Sequence, residues 1–349
     1  MSTASHLRSG RTIAEIGLVG FLVAFLGACV GVTTMPASTA PGGSPSPSTA
    51  VLGATATPST PASASPSPGD SGPTGLPSAT LGVVTIVAAG DIACDPAHNV
   101  GAPQNCDQAA TANLIGRLNP TAVLTLGDDQ YQDGTPAGFN AVFGATWGKY
   151  RAIMRPAIGN HEYLTSGAAG YFGYFGVPPY YSFNLGSWHL ITLDSECQYV
   201  GGCQMGSAQQ RWLAADLAAN TSQCTLVYWH EPRWSSGEHG DATQMAAIWG
   251  ELVGAHVDVV LSGHNHDYER FVPLDGTGQP DPTGITEFVV GTGGKNHYAF
   301  TQPPLTGEVV RNDTSFGVIE MTLGPGSYSW NFVPAPTYTF HDSGSASCV

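Results

Sequence analysis

Five short blocks of the 349-residue chain carry side chains that bind hard metal ions or move protons. Asp91 follows Gly90, and Asp128 and Asp129 follow Gly127, with Tyr131 close behind. Asn160 and His161 follow Gly159, and His230 closes an apolar run. His264 and His266 lie in Gly263-His264-Asn265-His266-Asp267-Tyr268-Glu269-Arg270. Carboxylate, phenol and amide oxygens are thus mixed with imidazole nitrogens, a donor set that suits a dinuclear site for iron, zinc or manganese. A single Gly-Asp pair is commonly only a turn, and a single histidine after an apolar run only a hydrogen-bonded core residue. The weight falls on the five blocks together.

Each block stands where an apolar run ends. Residues 83–89 lead to Asp91, 122–126 to Asp128, 156–158 to Asn160, 225–229 to His230 and 257–261 to His264. With the further runs 188–193, 287–290 and 317–322, these read as buried strands. Helical patterns at 108–118, 208–219 and 244–253 begin behind Asp107, Ser207 and Thr243, residue types that cap helices. Alternating strands and helices predict a layered α/β sandwich, and the strand-rich last third predicts mixed sheets. Open α/β sheets bind ligands at the carboxyl ends of their strands, so the five ends are expected to converge in one crevice.

Composition narrows the partners. Eleven Lys and Arg against 26 Asp and Glu give a formal charge of −15, which argues against a nucleic-acid binder that works by neutralising phosphates. At 42% hydrophobic residues the chain is not wholly disordered. If its ligand is an anionic phosphate compound, metal ions must supply the positive charge.

The first eighty residues read as address and tether. His6, Arg8 and Arg11 precede an apolar run over 16–28 that is too short for a membrane span. Residues 1–28 are therefore expected to be a signal peptide. Its end, Leu26-Gly27-Ala28-Cys29, resembles the bacterial lipobox, which implies a lipid on Cys29 as the only membrane contact. From 33 to 80 only Met35, Val51, Leu52, Asp70 and Leu76 depart from Ser, Thr, Pro, Ala and Gly, so 29–80 is predicted to be a disordered spacer. The remaining stretch, 81–349, is read as one catalytic domain. It holds Cys94, Cys106, Cys197, Cys203, Cys224 and Cys348, an even number that suits disulfides in an exported protein. Six cysteines allow 15 pairings. The short-loop pairs Cys94–Cys106 and Cys197–Cys203 are favoured, with Cys224–Cys348 pinning the C-terminus. A zinc cluster is the alternative, without a tight Cys-x-x-Cys pair to support it.

In order and spacing the five blocks resemble the calcineurin-like metallophosphoesterases, and among them the purple acid phosphatases. Residues 263–270 match the signature of that branch. Asp91-Ile92-Ala93 lacks the histidine of the wider superfamily's Asp-x-His, while Tyr131 stands where the branch carries an iron-binding tyrosinate. The resemblance implies a four-layer αββα sandwich. It implies a first metal, ferric iron, on Asp91, Asp128, Tyr131 and His266. A second, divalent iron, zinc or manganese, would sit on Asp128, Asn160, His230 and His264, with Asp128 shared. One trivalent and one divalent ion leave this inner shell net positive, even with a bound hydroxide. The implied reaction is metal-assisted hydrolysis with no phosphoenzyme.

His161 and His239 match family histidines that hold the phosphate or protonate the leaving group; Gly240 replaces a further histidine of plant relatives. Glu162, Asp194, Glu269 and Arg270 are candidates for supporting the ligands; for Asp194 a core-edge turn is an equal reading, and for Glu269 and Arg270 an ion pair that supports the histidine loop is favoured. The aromatic run 171–175 is expected to be packing rather than a substrate mouth. The glycine-rich 291–295 lacks Walker spacing and reads as pocket rim. The expected function is an exported phosphomonoesterase acting on small phosphate esters. A phosphodiesterase or nuclease on the same scaffold, and a non-catalytic surface-binding module, are the alternatives.

Overall fold

The computed structural model describes residues 82–94 and 106–349. The expected leader, the lipid site at Cys29 and the spacer lie outside the described residues. Strand-forming runs supply β1 (Val84–Ala89), β2 (Ala122–Leu126) and β3 (Met154–Ala157). They also supply β4 (Tyr181–Leu185), β5 (Trp188–Thr192), β6 (Cys224–Tyr228), β7 (Val259–Ser262), β8 (Tyr268–Phe271) and β9 (Thr286–Val290). The last third adds β10 (Glu308–Asn312), β11 (Gly317–Gly324), β12 (Ser327–Pro334) and β13 (Ser343–Ser347).

Two sheets result, with orders β13-β12-β11-β1-β2-β3 and β10-β8-β9-β7-β6-β5-β4. In the first, β1, β2 and β3 are parallel and β11 to β13 run antiparallel to their neighbours. In the second, β5, β6, β7 and β9 are parallel, with antiparallel strands at both edges. Both sheets are mixed, as the strand-rich C-terminal third predicts.

Alternation along β6 shows how the layers stack. Leu226 and Tyr228 join Ile86, Leu124 and Val318 of the other sheet in one buried core. Val227 points the opposite way, into a second core with Leu213, Ile248, Trp249 and Leu252. These last four belong to the helices Ala208–Ala219 and Ala246–Gly254, which therefore cover the outer face. Helix Gln108–Leu118 buries Leu114 and Ile115 with β1 and β2, and Trp147 Nε1 donates to its Thr111 Oγ1 at 3.0 Å. Helix, sheet, sheet, helix is the expected four-layer order.

The caps show where local signals were overruled. Ser207 does cap its helix, accepting from Gln210 N. Asp107 occupies the cap position, but its side chain makes no cap bond. Thr243 is not a helix cap. It opens a 3₁₀ turn, Thr243–Met245, and the α-helix starts only at Ala246. Among the described residues three disulfides form, Cys94–Cys106, Cys197–Cys203 and Cys224–Cys348, the favoured pairing. Asp258 lies beside the third, but sulfurs joined to each other are not thiolate ligands. Among the described residues no helix is long and apolar enough to cross a membrane.

Candidate metal centre

The carboxyl ends of β1, β2, β3, β6 and β7 open toward one point. Three residues there hold left-handed backbone that non-glycine residues rarely adopt: Asp91 at φ 58, Asp128 at φ 50 and His264 at φ 68. Each follows a glycine, and these glycines let strands and ligands approach closely. A Cβ on Gly127, itself at φ 84, would stand 2.5 Å from His230 Nδ1.

Two groups of donors form around Asp128. On one side Tyr131 Oη lies 2.7 Å from Asp91 Oδ1, 2.8 Å from Asp128 Oδ2 and 3.0 Å from His266 Nε2. On the other, His230 Nε2 lies 3.3 Å from Asp128 Oδ1, 3.1 Å from Asn160 Oδ1 and 3.2 Å from His264 Nδ1. The two oxygens of one carboxylate thus face the two groups. Asp91, Asp128, Tyr131, His230 and His266 are buried, while Asn160 and His264 are partly open. All seven sequence-predicted ligand positions are brought together.

Surrounding groups fix which atoms point inward. His230 Nδ1 donates to the Leu126 carbonyl at 2.8 Å, and His266 Nδ1 to the Asn296 carbonyl at 2.5 Å. Both rings therefore turn Nε2 to the centre, the orientation that a metal taking the place of the Nε2 proton needs. Backbone N–H groups of His161 and His264 hold Asp128 Oδ1 and Asp91 Oδ2 at 2.9 and 2.8 Å. Around His230 Nε2 an amide oxygen, a carboxylate oxygen and another ring nitrogen crowd together, an arrangement of lone pairs that a cation between them would satisfy. By donor chemistry the residues fit a metal.

Titration follows the same crowding. Burial alone would raise Asp128, but the charges of His230 and His161 hold its carboxyl well below the usual range. Burial likewise opposes ionisation of Asp91, and His266 outweighs it. Burial works against protonated His230, yet Asp128 pushes that imidazole well up. Burial and the neighbouring His230 push His264 down to about 3. For Tyr131, burial and the charges of Asp128 and Asp91 push the phenol well above its ordinary value. Only a strong positive charge in the centre would make it a phenolate.

The supporting residues fall out differently from expectation. Glu162 is fully buried and accepts from the backbone of Asp128, Gln130 and Gly159 at 3.1, 3.1 and 3.0 Å, so one side chain ties β2 to the Asn160 turn. Asp194 accepts from Tyr163 Oη at 2.5 Å. Glu269 and Arg270 do not pair. Adjacent strand residues face opposite sides of a sheet, so Glu269 meets Ser235 and Ser236 while Arg270 is bidentate with Asp342 at 2.7 and 3.0 Å. The aromatic run 171–175 packs on Phe139 and Phe143, as expected of packing. Gly291 and Gly293 pack against Asn265 and Gly90, beside the ligands.

His161 is half-buried, with Nδ1 on the Gln132 carbonyl at 2.5 Å and Nε2 turned to Asp128 Oδ2 at 3.8 Å. His239 is exposed; its ring stands 4.5 Å from that of His264, and its backbone N–H donates to Asn265 Oδ1 at 2.8 Å. Sequence reasoning missed two neighbours. Asn265 anchors the His239 loop, which its place between two ligands could have signalled. Tyr298 stacks on His266 at 4.2 Å and meets His239 edge-on at 5.3 Å, and no motif marks it.

Comparison with known proteins agrees with this geometry. Residues 84–268 match the calcineurin-like phosphoesterase family model. The chain belongs to that family, on its purple acid phosphatase-like branch. It is 33% identical over 164 residues to purple acid phosphatase 22 of Arabidopsis thaliana, covering 44% of this chain and 36% of that protein. In fold it is similar to the purple acid phosphatase PPD1 of yellow lupin seeds, with TM-score 0.61 and 19% identity over 76% of this chain and 54% of that one. It is also similar to GAP50, the anchor in the inner membrane complex of Plasmodium, with TM-score 0.57 and 13% identity over 77% of this chain and 90% of that one. Its matches span between 26% and 38% of the first curated relatives' own lengths.

Proposed function

We propose that the chain is an exported phosphomonoesterase with a dinuclear metal centre, hydrolysing small phosphate esters. The observation that carries this reading is the position of Asp128, whose Oδ2 faces Tyr131 while its Oδ1 faces His230. One carboxylate between two complete donor groups is what a pair of metal ions requires, and a single ion would leave one group idle.

In this reading Asp91, Asp128, Tyr131 and His266 hold one ion and Asp128, Asn160, His230 and His264 the other. Ferric iron paired with divalent iron, zinc or manganese suits these donors. Such a pair would supply positive charge for the phosphate oxygens and would acidify the attacking water. The chain's own groups do the rest. His161 keeps its Nδ1 proton on the Gln132 carbonyl, so Nε2 is the atom that carries a proton toward the leaving oxygen. His239 stands beside His264 at the exposed rim, where it can meet the ester's phosphate or leaving group. Membrane contact would come only through a lipid on Cys29, and the disulfides suit an oxidising compartment.

The test compares an aryl phosphate monoester with the corresponding diester, using protein purified without chelator, from acid to mildly alkaline pH. The monoester is expected to be the faster substrate, and Asp128→Ala is expected to abolish both metal retention and turnover. A faster diester would move the assignment to a phosphodiesterase. Metal-loaded protein that hydrolyses neither would overturn it.

A further inference from the structure

The turn that carries Asn160 and His161 continues into Glu162–Leu164, which places Tyr163 three residues from a ligand. Its hydroxyl is fixed on Asp194 Oδ2 at 2.5 Å, just beyond the end of β5. The following loop is closed by the Cys197–Cys203 disulfide and sets Tyr199 on the Tyr163 ring, with centroids 3.8 Å apart and planes 4° from parallel. Ser195 Oγ in that loop accepts from the backbone of Glu231 at 3.0 Å, the residue next to ligand His230. The stacked pair is therefore tied to both strands that present the Asn160 and His230 half of the centre.

Tyr199 covers Tyr163 with one face and is still 54% exposed, so its other face is open to solvent. Leu164, next to Tyr163 in the chain, is 63% exposed. Single exposed apolar residues are common on folded proteins, but the Tyr199 ring is ordered by its stack and its disulfide loop, and the same loop is bonded to the residue next to His230. An open aromatic face fixed on the loops that flank a polar site suits a ligand with both polar and apolar parts.

We infer that Tyr199, held in place by Tyr163, is a stacking platform for the leaving group, and that the site prefers phosphate esters of planar aromatic alcohols over alkyl esters. This rests on the phosphomonoesterase reading for turnover, and it deepens that reading by naming the leaving-group class.

The experiment uses the full-length, metal-containing protein with Tyr199→Ala and Tyr199→Phe, an aryl phosphate and glycerol phosphate as substrates. It adds calorimetric binding of phenylphosphonate and methylphosphonate. Tyr199→Ala is expected to lose about tenfold in kcat/KM for the aryl ester, mostly through KM, with glycerol phosphate unchanged. Tyr199→Phe should keep the wild-type preference, since the ring and not the hydroxyl does the stacking. Equal loss on both esters, or loss on neither, overturns the platform. If wild type turns over no ester, the phosphoesterase reading fails by itself, and the phosphonates then decide. Tighter phenylphosphonate binding that Tyr199→Ala removes supports the platform, and equal or no binding of the two overturns it.

Discussion

Gly159 and Asp128 are packed so closely that a methyl group on Gly159 would overlap both the carboxylate and the backbone nitrogen of Asp128, and would approach His230 Cδ2 to 3.0 Å. Neither neighbour can move aside. The carboxylate is held by His161 N–H, and the backbone nitrogen by Glu162.

Gly159→Ala is accordingly expected to displace Asp128 and cut turnover by roughly a hundredfold, the usual scale for a misplacement of about 1 Å. Metal content measured on the purified variant should fall in parallel while far-UV circular dichroism stays near wild type. Unchanged metal content would contradict the tight packing.

Glu162 is expected to be as sensitive as a ligand although it does not face the centre. Its Oε1 accepts one N–H and its Oε2 two, so an amide nitrogen placed on either side meets a donor. Glu162→Gln should cost about 1–3 kcal/mol in urea unfolding, with metal affinity reduced. A variant as stable as wild type would show that these three bonds do not hold the turn.

Asp258 links stability to pH. It accepts from Thr225 N and Val349 N, both at 2.8 Å, but burial outweighs these bonds and pushes the carboxyl up to about 6. A folded pKa above the unfolded value means the folded state binds the extra proton. This group's stabilising share is therefore full below about pH 4 and is lost as pH rises through about 6. Compared with Asp258→Asn, wild type should lose on the order of 2 kcal/mol between pH 4 and pH 7. A difference that stays flat, read from thermal unfolding, would contradict the shift.

The Cys224–Cys348 bridge joins β6 to the chain's end across 124 residues. Cys348→Ser is expected to cost about 2–4 kcal/mol through the unfolded chain, with metal content retained, because no ligand lies beyond His266. Loss of metal at unchanged stability would reverse that picture.

Much of this centre was legible because five of its seven ligands follow apolar strands, so a local pattern placed Asp91, Asp128, Asn160, His230 and His264 at neighbouring sheet ends. What was not legible depends on long-range contacts. Arg270 finds Asp342, 72 residues away, and no local signal separates that pairing from one with adjacent Glu269. Strand β13 reads Ser-Gly-Ser-Ala-Ser, which has no strand pattern of its own and is a strand only because β12 pairs with it. Tyr199 and Tyr298 lie in loops, where an aromatic residue announces nothing until its stacking partner is known.

The most direct test is metal stoichiometry with a visible spectrum, on protein purified without chelator and on its Tyr131→Phe variant. The account predicts two metal ions per chain and, with ferric iron in the Tyr131 site, a violet charge-transfer band that Tyr131→Phe removes. One ion per chain, or a violet band that survives in Tyr131→Phe, would contradict it.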